Sequence, residues 1–129
     1  MTEPEWLTTE ECLVAHEMLV IRFGGTHGIR DAGLLDSALN KPRQLFCYGS
    51  PTLYEMAAAY AFGIVKNHPF LDGNKRAGFI AASLFLESNG LRFTAPEEEA
   101  VLFTRGLAAG DITIEEYTLW LQKSSSATP

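Results

Sequence analysis

The stretch HPFLDGNKRAG, residues 68–78, gathers a histidine, an aspartate, an asparagine, a lysine and an arginine around one glycine. These are residue types from which proton transfer and phosphate binding are built. His68 carries an imidazole, the side chain that exchanges protons near neutral pH and can take one from a hydroxyl. Asp72 supplies a carboxylate for Mg²⁺, a cation that keeps several waters and takes only one or two protein carboxylates. Gly73 lets the backbone approach a ligand closely. N–H groups from about Gly73 to Lys75 would point out of a helix start at a phosphate oxygen, with the Arg76 fork and the compact Lys75 charge beside them. Those two cations are otherwise misplaced, because a helix N-terminus already carries partial positive charge. A nucleotide polyphosphate is the simplest anion to resolve that conflict. The plainer alternative makes Asp72 a helix N-cap, lets Lys75 and Arg76 reach solvent or pair with Glu97–Glu99, and treats His68 as a core histidine and Phe70 as packing.

The elements on either side must place this segment. Thr52-x-x-Glu55 is a capping box that opens LYEMAAAYAFGIVKNH, a helix apolar nearly all round and therefore central. RAGFIAASLFLESNG follows the segment, is again apolar on every side, and ends at Asn89-Gly90. The polar connection thus starts in the interior, where each unpartnered polar group costs about 1–3 kcal/mol. Alanines and glycines in both helices allow their axes to approach closely.

The remaining elements frame this pair. Thr8-x-x-Glu11 opens a first helix to about Arg22, in which His16 reads as structural. FGGTHGIRDAG has too much glycine for a helix and predicts a mobile loop or short hairpin with the chain's only strands; its His27 and Arg30 read as solvated. Asp31 would cap a short helix, AGLLDSALN, stopped before Pro42. An extended link, a helix from near Pro96 with acids in its first turn, and a last helix capped near Thr113 complete residues 1–123; 124–129 reads as a disordered tail. The fold class expected is all-α, a single domain of about six helices.

Bulk composition narrows the class. The 129 residues are 47% hydrophobic and 20% charged, as in soluble globular domains. A net charge of −6 argues against broad nucleic-acid binding, leaving room only for a local cationic pocket. Cys12 and Cys47 have neither disulfide-framework nor zinc spacing and read as small buried hydrophobes. MTEPEWLTTE lacks the apolar run of a signal peptide, and the apolar windows 56–65 and 77–86 are too short to span a bilayer, so a cytoplasmic location is expected.

His68, Phe70, Asp72, Gly73, Asn74 and Arg76 resemble the signature of the Fic/Doc family, His-x-Phe-x-(Asp/Glu)-(Gly/Ala)-Asn-x-Arg, with Pro69 also as in Fic proteins. GIRDAGLLDSALNKPR upstream, with LFLESNGLRF and GLAAGDITIEEY downstream, is similar to the death-on-curing (Doc) branch; the likeness covers about residues 6 to 122. It implies a compact Fic/Doc-type helical domain with a flap at residues 24–33 that aligns a target segment, strand addition being one route. It also implies that His68 is the base, that Asp72 holds Mg²⁺, and that Gly73, Asn74, Lys75 and Arg76 bind the phosphates of ATP, with Lys75 and Arg76 stabilising charge on the transferred group.

One departure bears on the reaction. AMP-transferring Fic members carry a glycine where this chain has Lys75, and a second arginine where it has Phe79. Both differences match the Doc branch. They imply that ATP presents its γ-phosphoryl to a Ser/Thr hydroxyl of a target protein, elongation factor Tu being the family expectation. AMP transfer, and a catalytically silent module acting through a partner complex, are the alternatives. The self-restraining Fic helix, (Ser/Thr)-x-x-x-Glu-(Gly/Asn), has only an imperfect counterpart at Ser83-x-x-x-Glu87-Ser88. The resemblance therefore implies restraint by a separate antitoxin whose helix fills a groove near the site, in a toxin–antitoxin pair that halts translation.

Overall fold

Reciprocal capping boxes set where three of the six helices begin. In α1 (Thr9–Phe23), α3 (Leu53–Asn67) and α6 (Ile114–Lys123), a threonine before the first turn accepts from the N3 backbone while the N3 glutamate accepts from the threonine's N–H. In the computed structural model, which describes residues 2–128, these helices are joined by α2 (Ala32–Tyr48), α4 (Asn74–Ser88) and α5 (Glu97–Ala109). The result is all-α apart from two three-residue strands, β1 (Leu91–Phe93) and β2 (Ser125–Ala127).

Helix α3 runs through the centre: Met56, Ala57, Ala58, Tyr60, Ala61 and Ile64 are completely buried. Its small residues let neighbours close on it, as the composition predicts. A Cβ on Gly63 would meet Ala38 Cα of α2 at 3.1 Å, and one on Gly78 of α4 would lie 2.8 Å from Val65 Cγ1. Burial pushes the Cys12 thiol up to about 11 and the Tyr60 phenol up to about 12, and the Tyr60 oxygen accepts from Leu7 N at 3.1 Å. Cys47 departs from the expected burial and is exposed near the end of α2; both thiols are free.

Four further expectations are corrected. The helix after Asp31 does not stop before Pro42 but runs through it to Tyr48. Proline removes one N–H and strains one turn, yet Pro42 is buried against the core, and packing outweighs that local cost. Helix α4 is not covered all round: Phe79, Ile80, Ser83 and Leu84 face an open groove. Of the glycine-rich flap, residues 24–31 form a loop whose one β-bridge is Ile29–Phe70, the last two residues open α2, and the strands lie elsewhere. Finally, the C-terminal segment is ordered over Ser125–Ala127, antiparallel to β1. Backbone groups hold it: Thr94 N donates to Ser124 O at 2.9 Å and Thr128 N to Gly90 O at 2.9 Å. Such pairing needs no apolar side chains, so the composition SSSATP gives no sign of it. No described helix is long and apolar enough to cross a membrane.

Candidate active site

Helix α3 ends one residue before the candidate base. His68 is its C-cap, in the left-handed conformation (φ 49°, ψ 55°), and is the one non-glycine residue with positive φ among those described. The chain then dives inward, burying Pro69 and Phe70, and returns to the surface at Leu71 and Asp72. Gly73, also left-handed (φ 75°), launches α4.

Asn74 organises this turn from inside. Its side chain is buried; Oδ1 accepts from Phe70 N and Nδ2 donates to Phe70 O, both at 3.0 Å. Facing a main-chain donor and acceptor together fixes which end of the amide is which. An Asn74 N–H therefore faces His68 Nδ1 at 3.3 Å, and the neutral ring carries its proton on Nε2. The expected phosphate-binding side chain thus serves within the loop.

A second support comes from α1. His16 is buried, its Nε2–H donates to Asp72 O at 2.7 Å, and its ring stacks on Phe70 with centroids 3.8 Å apart. The structural role expected of His16 is the one observed, and Phe70 is the expected anchor, 1% exposed. Neither partner of His16 was legible from its position, because α1 lies more than fifty residues upstream.

The flap supplies a third. Leu71 N donates to Gly28 O at 3.1 Å, and Arg30 N and Asp31 N both donate to Pro69 O, at 2.7 and 3.0 Å. Thr26 N donates to Asp72 Oδ2 at 3.2 Å, while Gly73 N donates to Asp72 Oδ1 at 2.9 Å. Gly25 makes the first of these possible: at φ 115° it lies so close that a Cβ would come 2.7 Å from Asp72 Oδ2. His27 and Arg30 are engaged, where the sequence suggested solvated side chains. His27 Nδ1 lies 2.8 Å from Glu17 Oε1, and Arg30 donates to the carbonyls of His68 and Asn67.

What remains unengaged is as informative. Asp72 does not cap α4, which has no side-chain cap. The Gly73 amide, expected to face phosphate, is taken by Asp72, so the N–H groups of Asn74, Lys75 and Arg76 open the helix instead. Neither Lys75 nor Arg76 is paired with a carboxylate among the described residues, Glu97–Glu99 included. Both are exposed, and the Arg76 guanidinium lies over the Phe23 ring, 4.2 Å from its centroid. They stand at one end of a groove of about 1090 Å³ between α1, α4 and α5, whose walls include the exposed Val14 and Met18.

Asp72 fits a hard cation held by one protein carboxylate. Each of its oxygens has one backbone donor and can accept further, and no described cluster of three His, Cys, Asp or Glu offers an all-protein metal cage.

The family model described as the Fic/DOC family matches residues 6–86. A protein named Toxin Doc from Mycolicibacterium smegmatis is 42% identical over 94 residues, covering 70% of this chain and 69% of that protein. One named Protein kinase doc from Escherichia phage P1 is 32% identical over 109 residues, covering 84% of this chain and 86% of that protein. With its motif loop between two central helices and these relatives, the chain belongs to the Fic/Doc family, in the death-on-curing branch.

Proposed function

We propose that this protein is the toxin of a toxin–antitoxin pair and a cytoplasmic protein kinase, transferring the γ-phosphoryl of ATP to a serine or threonine hydroxyl of a target protein. The observation that carries the reading is the uncapped start of α4, where three free N–H groups and two cations, unpaired among the described residues, follow directly on the loop that bears His68 and Asp72. A site so polarised favours an anion with several negative oxygens. The phage relative is named a protein kinase, which supports the same assignment.

In this reading the Asn74, Lys75 and Arg76 amides and the two cationic side chains bind phosphate oxygens and stabilise charge on the group in transfer. Asp72 would hold Mg²⁺, which neutralises phosphate charge when bound. His68 removes the proton of the acceptor hydroxyl as its oxygen bonds to the γ-phosphorus, and the bond to the β–γ bridging oxygen breaks to release ADP. The nitrogen that takes this proton is the one the ring leaves unprotonated, so the long contact to Asn74 yields as the acceptor docks. The Phe79 ring packs on Phe93 at 5.4 Å and offers no donor for a terminal phosphate, which supports phosphoryl over AMP transfer. The flap's main chain, zipped to the motif loop on one side, can align a target segment along the other. Elongation factor Tu is the target the family resemblance implies. An antitoxin helix with an apolar face fits the neighbouring groove, whose apolar walls are rimmed by charges of both signs, Arg22 and Arg105 with Glu10, Glu11 and Glu97.

ATP labelled at the γ or the α phosphate, offered with Mg²⁺ and elongation factor Tu, tests the reading. Label on the target from the γ position alone, lost in His68→Ala, is expected. Label from the α position alone would mean AMP transfer, and toxicity unchanged in His68→Ala would mean a silent binding module.

A further inference from the structure

Arg30 has a task that neither phosphate binding nor target alignment explains. Its Nε donates to His68 O at 2.6 Å and its Nη2 to Asn67 O at 2.8 Å, so one planar fork spans two successive carbonyls at the end of α3. Its own N–H donates to Pro69 O at 2.7 Å. Arg30 thereby grips three consecutive residues of the turn into the motif.

That turn needs outside help. The last carbonyls of a helix lack intrahelical donors. A left-handed C-cap satisfies some of them, but the residue suited to it is glycine. Here the position is His68, and positive φ is uncommon for a residue other than glycine, although histidine adopts it more readily than most. Charge-assisted bonds to the carbonyls on both sides of the His68 N–H fix the direction of that peptide, and a cation at a helix C-terminus is favoured by the helix dipole. The ring is held at its other end by Asn74.

We propose that Arg30 is a positioning residue for His68: its fork locks the left-handed turn that aims the imidazole. An arginine reserved for target or nucleotide would keep its donors free, whereas Arg30 uses Nε and one terminal nitrogen on the protein's own backbone. The catalytic side of this proposal rests on His68 as the base; the conformational side does not.

The test compares Arg30→Gln and Arg30→Lys with the wild-type chain by two readouts. The ¹³Cα and ¹³Cβ NMR shifts of His68 report its backbone conformation, with His16 as internal control. Steady-state phosphoryl transfer gives kcat and the KM for ATP. In Arg30→Gln the His68 shifts leave the left-handed range while those of His16 stay, and kcat falls about 10- to 100-fold with KM for ATP within twofold. Arg30→Lys, which keeps the charge and loses the fork, recovers only part of either. Wild-type His68 shifts and kcat in a folded Arg30→Gln, or full recovery by Arg30→Lys, would overturn the proposal. Should Arg30→Gln not fold, Arg30→Lys decides alone: displaced His68 shifts support the clamp and unchanged ones overturn it. A wild-type chain that transfers no phosphoryl group removes the base role, while the NMR comparison still decides the clamp.

Discussion

Removing the Asn74 amide is the most direct way to ask whether the motif loop is stapled from within. Asn74→Ala deletes an acceptor for Phe70 N and a donor for Phe70 O, both made at 3.0 Å. Phe70 is 1% exposed, so its two main-chain groups are left without partners away from bulk water. Each such loss costs about 1–3 kcal/mol, and some relief comes from water entering beside the exposed Leu71. The expected destabilisation is about 2–4 kcal/mol. Urea unfolding followed by the fluorescence of Trp6 and Trp120 measures it, as a lower midpoint at unchanged slope. Asn74→Asp separates the two bonds: it keeps the acceptor for Phe70 N but turns oxygen toward Phe70 O and His68 Nδ1. The isostere should cost about 1–2 kcal/mol and draw the His68 proton from Nε2 to Nδ1, visible in ¹⁵N spectra. A loss under about 0.5 kcal/mol for Asn74→Ala would refute the staple, since an amide shared with water would cost no more.

Three further outcomes follow from the same geometry. Gly25→Ala places a methyl against Asp72 Oδ2 at a positive φ, so it should cost about 1–3 kcal/mol and release the flap, measured as a lower Tm and faster proteolysis at residues 24–31; an unchanged Tm would contradict the close approach. His16→Phe keeps the stack on Phe70 but removes the donor to Asp72 O, and a loss of about 1–2 kcal/mol in urea unfolding is expected. Burial raises the folded-state pKa of Cys12 from 9.0 to about 11 and of Tyr60 from 10.0 to about 12, so the folded chain holds protons that the unfolded chain gives up. Stability from these groups is therefore complete below pH 9 and falls from there to about pH 12, and Cys12→Ala should flatten the first part of that decline in urea midpoints taken across pH.

The parts of this fold written in local chemistry were legible. Three Thr-x-x-Glu boxes mark helix starts because both partners of the cap lie within one turn. The continuous apolar pattern of residues 53–65 announces a central helix because every direction around it must meet core. Features set by distant partners were not legible. Pro42 argues for a stop from its own neighbours, and only the buried face against α3 makes the helix continue. Residues 125–127 look like tail until β1, more than thirty residues away, offers its edge. At the site, the motif showed which residues gather, yet not which of them are spent holding the others. Asn74 and the Gly73 amide appeared as ligands and are bonded inside the loop, and Arg30 appeared solvated although it holds the turn at His68.

The division between holding and unoccupied groups shapes the start of α4. Lys75 and Arg76 belong to its first turn and cannot leave its positive end with the loop; their exposed side chains reach solvent, and Arg76 reaches the Phe23 ring. The loop that leads into this turn is held from several sides. His16 grips it from α1, Thr26 and Arg30 from the flap, and Asn74 from within α4, so the backbone beneath the two cations is fixed. Asp72 gives one oxygen to Thr26 N of the flap and the other to Gly73 N, so its carboxylate accepts none of the Asn74, Lys75 and Arg76 N–H groups. The start of α4 therefore keeps three N–H groups without a side-chain cap, and a phosphate bound there in the proposed reading would meet main-chain donors already in place. The bonds that hold the loop take the Gly73 amide and both Asp72 oxygens, and they leave the next three N–H groups of α4 to be met from outside the chain.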